Sequence, residues 1–363
     1  MNKFDYLIVG CGFYGATIAQ RARDLGKSVL IIDKREHIAG NAYTEKIHNI
    51  NIHKYGAHIF HTSSGKIWNY INQFGKFNNY RHKVIADYNN CLYSLPFNMW
   101  TFNQVWGIKN PNEALEIINS QRFLGTPRNL EEQAISMVGY DIYNILIKGY
   151  TIKQWNKDPK DLPPSIIKRI PIRFSFNDDY FDDKYQGIPI EGYTKLIENM
   201  ISGCDIELNS NYIDNRNYYD SLAKKIVYTG PVDQFFEYKY GNLEYRSLSF
   251  ETEIIEQTNN FQGNSVVNYT NSDIPYTRIL EHKHFDMIDS NKSTIITKEY
   301  PKNFNINNEP YYPINDDKNI SIYNKYKIMK DNIKYKFLFG GRLAEYKYYD
   351  MHQVIGSALA TEI

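Results

Sequence analysis

Residues 4–34 read FDYLIVGCGFYGATIAQRARDLGKSVLIIDK. The apolar run Tyr6 to Val9 predicts a buried parallel strand. It leads into Gly10, Gly12 and Gly15, spaced GxGxxG. Ala16, Ile18, Ala19 and Ala22 then recur at helical intervals until Gly26 ends the helix. Val29 to Ile32 predicts a second strand with Asp33 at its end. The glycines permit a tight turn, close approach of the backbone to a pyrophosphate and close helix–strand packing. The helix N-terminus offers unpaired N–H groups and a positive dipole to phosphates. Asp33 can accept from ribose hydroxyls. Strand, glycines, helix, strand and acid in register predict a dinucleotide site rather than an ordinary βαβ turn.

The chain has 363 residues, beyond the size at which one core keeps growing, so two or three domains are expected. Its net charge of +1 gives no general pull toward nucleic acid or membrane surfaces. No apolar stretch is long enough to span a bilayer. Asn2, Lys3 and Asp5 precede a strand rather than the apolar segment of a signal peptide. A soluble cytoplasmic protein is the expectation. Cys11, Cys91 and Cys204 are odd in number and scattered, which fits neither a disulfide framework nor a zinc site.

Further along, Ile50 and Ile52 predict a short strand, and residues 55–61 (YGAHIFH) a glycine-broken strand bearing two imidazoles. Ser63 or Ser64 can cap a helix through Trp68 and Ile71. Val84 to Leu95 reads as a hairpin turning at Asn89 and Asn90. From Pro96 to about Gly149 the pattern is helical, with Asn129 and Glu132 spaced as a capping box. Residues 150–187 read as extended and loop-rich, and alternating runs between Tyr245 and Tyr300 predict an antiparallel sheet. Phe337 to Phe339 then runs into Gly340, Gly341 and Arg342, and Asp350 with Gln353 suits the cap of a final helix. That helix N-terminus could neutralise negative charge on a reduced isoalloxazine ring, and Arg342 could reach cofactor phosphates.

Arg169 and Arg278 have the fork geometry and permanent charge that suit a diphosphate, although by residue type alone each is more often a surface side chain unless something else singles it out. Tyr150, Trp155, Tyr180, Tyr185, Tyr312 and Tyr348 lie in polar surroundings and could stack on a base or sugar, although in a chain with 32 tyrosines each taken singly is more often structural. His53, His58 and His61 lack the spacing and acidic neighbours of a metal site. Asp178, Asp179, Asp182 and Asp183 lack the glycine and terminal Glu of an EF-hand, so a solvated loop is expected and no metal is assigned.

Taken together, GCGFYGA, HIAGNAYTE, HKYGAHIFHT, LPFNMWTF, IKGYTIKQW, IIKRIPIRF, YQGIPIEGYTKLIE, PYTRILEHKHF, EPYYPIN and FGGRLAEYKYYDMHQV occur in order almost end to end. On these stretches the chain resembles prokaryotic UDP-galactopyranose mutases. The resemblance implies an α/β fold: a discontinuous FAD-binding Rossmann-like domain (1–76, 188–232, 318–363), a helical-bundle lobe (96–149) and an antiparallel β-sheet substrate lobe (77–95, 150–187, 233–317). It implies an isomerase that interconverts UDP-galactopyranose and UDP-galactofuranose, with reduced FAD as nucleophile at the anomeric carbon. The product would supply galactofuranose for surface polysaccharide. A reductant for the flavin and a homodimer are further implications; nucleic acid and membrane are not partners.

Carried over motif by motif, Arg169 and Arg278 look like the catalytic diphosphate pair, with Arg169 on a closing loop. Tyr150, Thr151, Trp155 and Tyr180 look like uridine and diphosphate contacts. Asn268, Glu299, Tyr312, Tyr348 and Asp350 look like the remaining substrate wall. Gly10, Gly12, Phe13, Gly15, Asp33, Lys34, Asn41, His58, Ile59, Arg342, Asp350 and Met351 look like FAD contacts. A contact from His82 is left open. The same chemistry on UDP-N-acetylgalactosamine, a net-redox amine oxidase-like flavoenzyme and a non-catalytic nucleotide-sugar binder are the competing readings.

Overall fold

The structure is a computed structural model that describes residues 3–168, 170–256, 258–288, 292–305 and 308–363. The chain divides into two compact units. The first comprises Met1–Asn79, Asp183–Arg246 and Phe304–Ile363, and the second Tyr80–Asp182 and Ser247–Asn303. Arg169 lies outside the described residues.

The first unit is built on a five-stranded parallel sheet in the order Phe337–Phe339, Ala223–Tyr228, Phe4–Val9, Val29–Ile32, Asp205–Glu207. Phe4–Val9 is central, and Leu7 and Ile8 are fully buried, as a strand covered on both faces requires. The helix Phe13–Asp24 follows it and packs Ala16, Ile18, Ala19 and Ala22 inward. The C-terminal helix Met351–Ala360 lies against that helix: Arg21 NH1 donates to the carbonyls of Ala358 (2.6 Å) and Thr361 (2.8 Å), capping its end. Phe4, Leu7, Leu30, Ile226, Phe235 and Phe337 share one core beneath the sheet.

In the second unit the hairpin Val84–Tyr88 and Cys91–Leu95 turns through Asn89 (φ 53°) and Asn90 (φ 60°), the left-handed pair of a primed turn. The sheet continues through Val266–Tyr269, Arg278–Glu281, Thr294–Asn303 and the outer part of Tyr245–Ile255. Arg278–Glu281 is antiparallel to both neighbours, but Val266–Tyr269 runs parallel to Val84–Tyr88. The sheet is thus antiparallel with one parallel joint. Tyr245 and Arg246, which belong to the first unit, pair instead with Tyr312–Pro313.

The helical segment is longer than its sequence pattern predicts. Met99–Trp106, Pro111–Gln121 and Leu130–Ile142 are followed by a wider π-type turn, Tyr143–Lys148, and a further helix, Gly149–Trp155. Residues 150–155 are therefore helical rather than extended. No proline lies between Pro127 and Pro159, and Asn156 ends the helix in the left-handed region (φ 50°). Similarly, only residues 60–61 of the stretch 55–61 are strand, within Phe60–Thr62, because Lys54 and Tyr55 form a turn and the chain bends at Gly56. The acidic loop is pinned rather than simply solvated. Asp178 pairs with Lys83 (2.8 Å), Asp182 with Arg173 (2.6 Å) and Asp183 with His61 (2.5 Å). No helix among the described residues is long and apolar enough to cross a membrane.

Candidate active site

The glycine loop shapes one wall of a pocket in the first unit. Gly10 has φ +100°, and a Cβ there would lie 2.0 Å from Thr229 Oγ1. A Cβ on Gly15 would lie 2.1 Å from the Gly10 carbonyl, whereas one on Gly12 would meet nothing within 4 Å. Gly10 and Gly15 are thus needed for packing, and Gly12 faces open space. Gly12 is also the N-cap of Phe13–Asp24, and no side chain caps it. The first N–H groups of that helix are left for a ligand.

Asp33 is buried, and its carboxylate ties the loop together. Oδ2 accepts from the Cys11 amide (2.8 Å) and Oδ1 from the Arg35 amide (3.0 Å). Each oxygen keeps a second lone pair for a ribose hydroxyl. Lys34, Asn41, His58, Arg342 and Met351 line the same pocket, with Phe13 and the three glycines. Ile59, next to His58, is buried. His58 Nδ1 contacts the Gly56 carbonyl (2.8 Å). Burial, with the Arg342 charge as a minor contributor, pushes its pKa down to about 4, so the imidazole is neutral at pH 7.

Gly340 and Gly341 have a definite packing role. A Cβ on Gly340 would lie 1.8 Å from Tyr14 Cζ, and Gly341 has φ +85°. Arg342 then turns its guanidinium onto the Tyr349 carbonyl (2.5 Å) and over the Tyr348 ring (5.2 Å). Tyr348 in turn stacks on Tyr312 at 5.4 Å. Asp350 caps Met351–Ala360 in a reciprocal box with Gln353, whose Oε1 accepts from the Asp350 amide (2.9 Å).

The second unit collects a different set. Asn268, Arg278 and Glu299 stand in one row across three adjacent strands, paired as Asn268 with Arg278 and Arg278 with Glu299. Arg278 Nε lies 3.1 Å from Glu299 Oε1, and Arg278 NH2 donates to the Tyr150 hydroxyl (3.0 Å). Glu299 is buried, which raises its pKa, and the Arg278 charge opposes that shift. Asn268 Oδ1 is buried and accepts no hydrogen bond among the described residues. Tyr150, Thr151 and Trp155 share the helix Gly149–Trp155. Lys153 anchors that helix by donating to the carbonyls of Tyr269 (2.6 Å) and Tyr276 (3.0 Å). Tyr180 packs edge-on to His82 at 5.2 Å, and His82 itself is buried, with Nδ1 on the Tyr80 hydroxyl (2.9 Å).

A family model described as UDP-galactopyranose mutase matches residues 145–348, and one described as an NAD(P)-binding Rossmann-like domain matches residues 8–74. A probable UDP-galactopyranose mutase of Klebsiella pneumoniae is 39% identical over 369 residues, covering 99% of this chain and 94% of its own. The chain belongs to the UDP-galactopyranose mutase family. A dTDP-fucopyranose mutase of Escherichia coli is also 39% identical, covering 99% of this chain and 97% of its own. The crystal structure of a reduced UDP-galactopyranose mutase shares the fold at a TM-score of 0.77 and 12% identity, covering 99% of this chain and 93% of that one. Like its family, the protein is an isomerase with FAD as cofactor. The glycine cradle fits FAD: Gly12 opens onto empty space beside an uncapped helix N-terminus, with Asp33 at the end of the next strand.

Thr229, Tyr14, Arg35 and Glu309 also line the pocket, Tyr14 and Arg35 from beside the motif residues and Thr229 and Glu309 from distant segments. His61 gathers with Asp350 and His352, their donor atoms within 4.8 Å of one another. It does not join the His53–His58–His61 trio that its own segment offers. Only the fold brings these groups together.

Proposed function

We propose that this protein interconverts UDP-galactopyranose and UDP-galactofuranose. Besides family membership, the observation that carries the reading is the Asn268–Arg278–Glu299 row with Tyr150 against it. In this reading Arg278 is a diphosphate ligand. When bound and reduced, FAD supplies a nucleophilic ring nitrogen for the anomeric carbon, with no net redox change.

The chain's own residues do the rest. The buried Glu299 carboxylate aims the Arg278 guanidinium and keeps an unpaired cation from being buried before substrate arrives. A charge pair at roughly 4 Å and an effective dielectric near 20 is worth about 4 kcal/mol before desolvation, which suits Arg278 to stabilising a departing nucleoside diphosphate. Arg169 is its proposed partner. Asn268 Oδ1 offers an acceptor to a substrate hydroxyl or N–H. Tyr150, Thr151, Trp155 and Tyr180 are proposed uridine and diphosphate contacts. Tyr312, Tyr348 and Asp350 are proposed sugar-side contacts. In the cofactor pocket a neutral His58 adds no charge, so the Arg342 guanidinium and the N-terminus of Met351–Ala360 are groups suited to negative charge on a reduced ring. We also infer a cytoplasmic homodimer, reduced by a cellular electron donor, whose product feeds a surface polysaccharide.

The dTDP-fucopyranose mutase at equal identity favours a second reading, the same ring contraction on a deoxythymidine-linked 6-deoxysugar. A site that hydrogen-bonds a sugar hydroxyl rejects the analogue lacking it by a large factor, so the two readings separate cleanly. The test offers UDP-galactofuranose and dTDP-fucofuranose separately to the protein, with and without dithionite, and follows the sugar nucleotides by chromatography. Conversion of the uridine substrate only after reduction supports the first reading. Preference for the thymidine substrate establishes the second, and turnover without reduction refutes both.

A further inference from the structure

At the end of the strand Val29–Ile32 the pocket wall carries Asp33, Lys34 and Arg35 in succession. Opposite them stands Glu309, 274 residues further along the chain than Arg35. Its carboxylate divides between two cations: Oε1 lies 2.7 Å from Lys34 Nζ and Oε2 lies 3.1 Å from Arg35 NH2. All three residues line the pocket, with Pro310 beside them.

The two halves of this contact are not equally held. Arg35 is an anchor. Its NH2 also donates to Asn41 Oδ1 (2.8 Å), its guanidinium lies 4.6 Å over the Tyr55 ring, and only 15% of its side chain is exposed. Tyr55 is itself fixed by a 2.7 Å hydrogen bond to His37 Nε2. Lys34 and Glu309 are 51% and 35% exposed, so the outer half of the contact is the part that can open. Burial would raise the Glu309 pKa, but Arg35 and Lys34 outweigh it and hold the carboxylate ionised.

A short exposed ion pair contributes little to stability. This one spans two chain segments at the rim of a ligand pocket, and half of it is rigid. Its position makes retention of the bound molecule the quantity it controls. Asp33, the ribose acceptor of the dinucleotide motif, sits directly before it, so the contact guards the adenosine end.

We propose that Glu309, paired at once with Lys34 and Arg35, is an electrostatic clasp that sets how fast FAD leaves its pocket. The clasp rests on FAD being the occupant of that pocket. Opening it separates Glu309 from its cations without disturbing the glycine cradle, so dissociation is governed by a contact that salt can screen.

The test measures FAD release from the purified holoprotein by the rise in free-flavin fluorescence after dilution, at low and high sodium chloride. Release from the unaltered protein should accelerate with salt. Glu309→Gln should release FAD about tenfold faster at low salt, the size of one lost charge-assisted hydrogen bond, and should lose most of the salt acceleration. Glu309→Asp keeps the charge at shorter reach and should retain the salt dependence at an intermediate rate. Should Glu309→Gln fail to fold, the Glu309→Asp series carries the comparison. Release from Glu309→Gln at the unaltered rate, with unaltered salt dependence, overturns the clasp while leaving FAD in place. Protein that purifies without flavin and takes up none from solution overturns the cofactor assignment itself.

Discussion

Arg278 Nε lies 3.1 Å from Glu299 Oε1, its direct partner across two antiparallel strands, and Glu299 is almost completely buried. The pair is set by backbone register rather than by flexible reach. The cation is therefore preorganised and only partly neutralised, which suits an arginine that must receive a more highly charged anion.

Arg278→Ala should keep FAD and lose turnover, lowering kcat/KM by about 10²–10³-fold, the consequence of truncating one partner of a buried charge pair. Glu299→Gln should lose less, because the amide still fills the site but no longer fixes the guanidinium. Steady-state kinetics of the reduced variants check both. Near-normal turnover in Arg278→Ala would sink its assigned role.

Gly12 and Gly340 should fail in different ways. A methyl on Gly12 enters open pocket space, so Gly12→Ala should unfold like the unaltered apoprotein yet bind FAD much more weakly. A methyl on Gly340 meets the Tyr14 ring at 1.8 Å, so Gly340→Ala should destabilise the protein by about 1–3 kcal/mol. Thermal unfolding of apoproteins alongside flavin titration separates the two effects. An unstable Gly12→Ala would contradict the open space above that residue.

Acid sensitivity follows from two histidines, His282 fully buried and His58 half-buried in the pocket wall. Burial pushes His58 down to about 4 and His282 to about 3, and His282 Nε2 is held against Thr297 Oγ1 at 2.7 Å. The unfolded chain protonates these rings near pH 6.5, before the folded protein does, so their stabilisation is complete above that value and is withdrawn as pH falls toward 4. Each should remove on the order of 2 kcal/mol across that window. His282→Gln, which can still hydrogen-bond Thr297, should flatten the dependence of Tm on pH. An unchanged profile would exclude His282 as a source.

Replacing Arg169, the proposed second diphosphate ligand, by Ala should lower turnover for the same charge reason as Arg278, and should lose the proposed closure over substrate. Stopped-flow fluorescence of Trp155 on adding UDP reads that closure. The signal should change in the unaltered protein and diminish in the variant; an unchanged signal in Arg169→Ala would remove its closing role.

The sequence alone determined the features that depend on neighbours. The strand–glycine–helix–strand run, Asp33 at its end, the Asn89–Asn90 turn and the Asp350–Gln353 cap each follow from spacings of a few residues. Local backbone geometry and hydrogen bonding decide such features. Tertiary structure alone decided the rest. The helix Gly149–Trp155 has little amphipathic signal of its own and continues from the π-type turn before it. The Asn268–Arg278–Glu299 row needs the register of three strands, and the need for Gly340 depends on where Tyr14 packs. Glu309 meets Lys34 and Arg35 only because the chain returns to its first unit after leaving it. Such contacts join residues more than a hundred positions apart or fix a register between strands. No local spacing encodes them, because their energy is realised only once the intervening chain has folded.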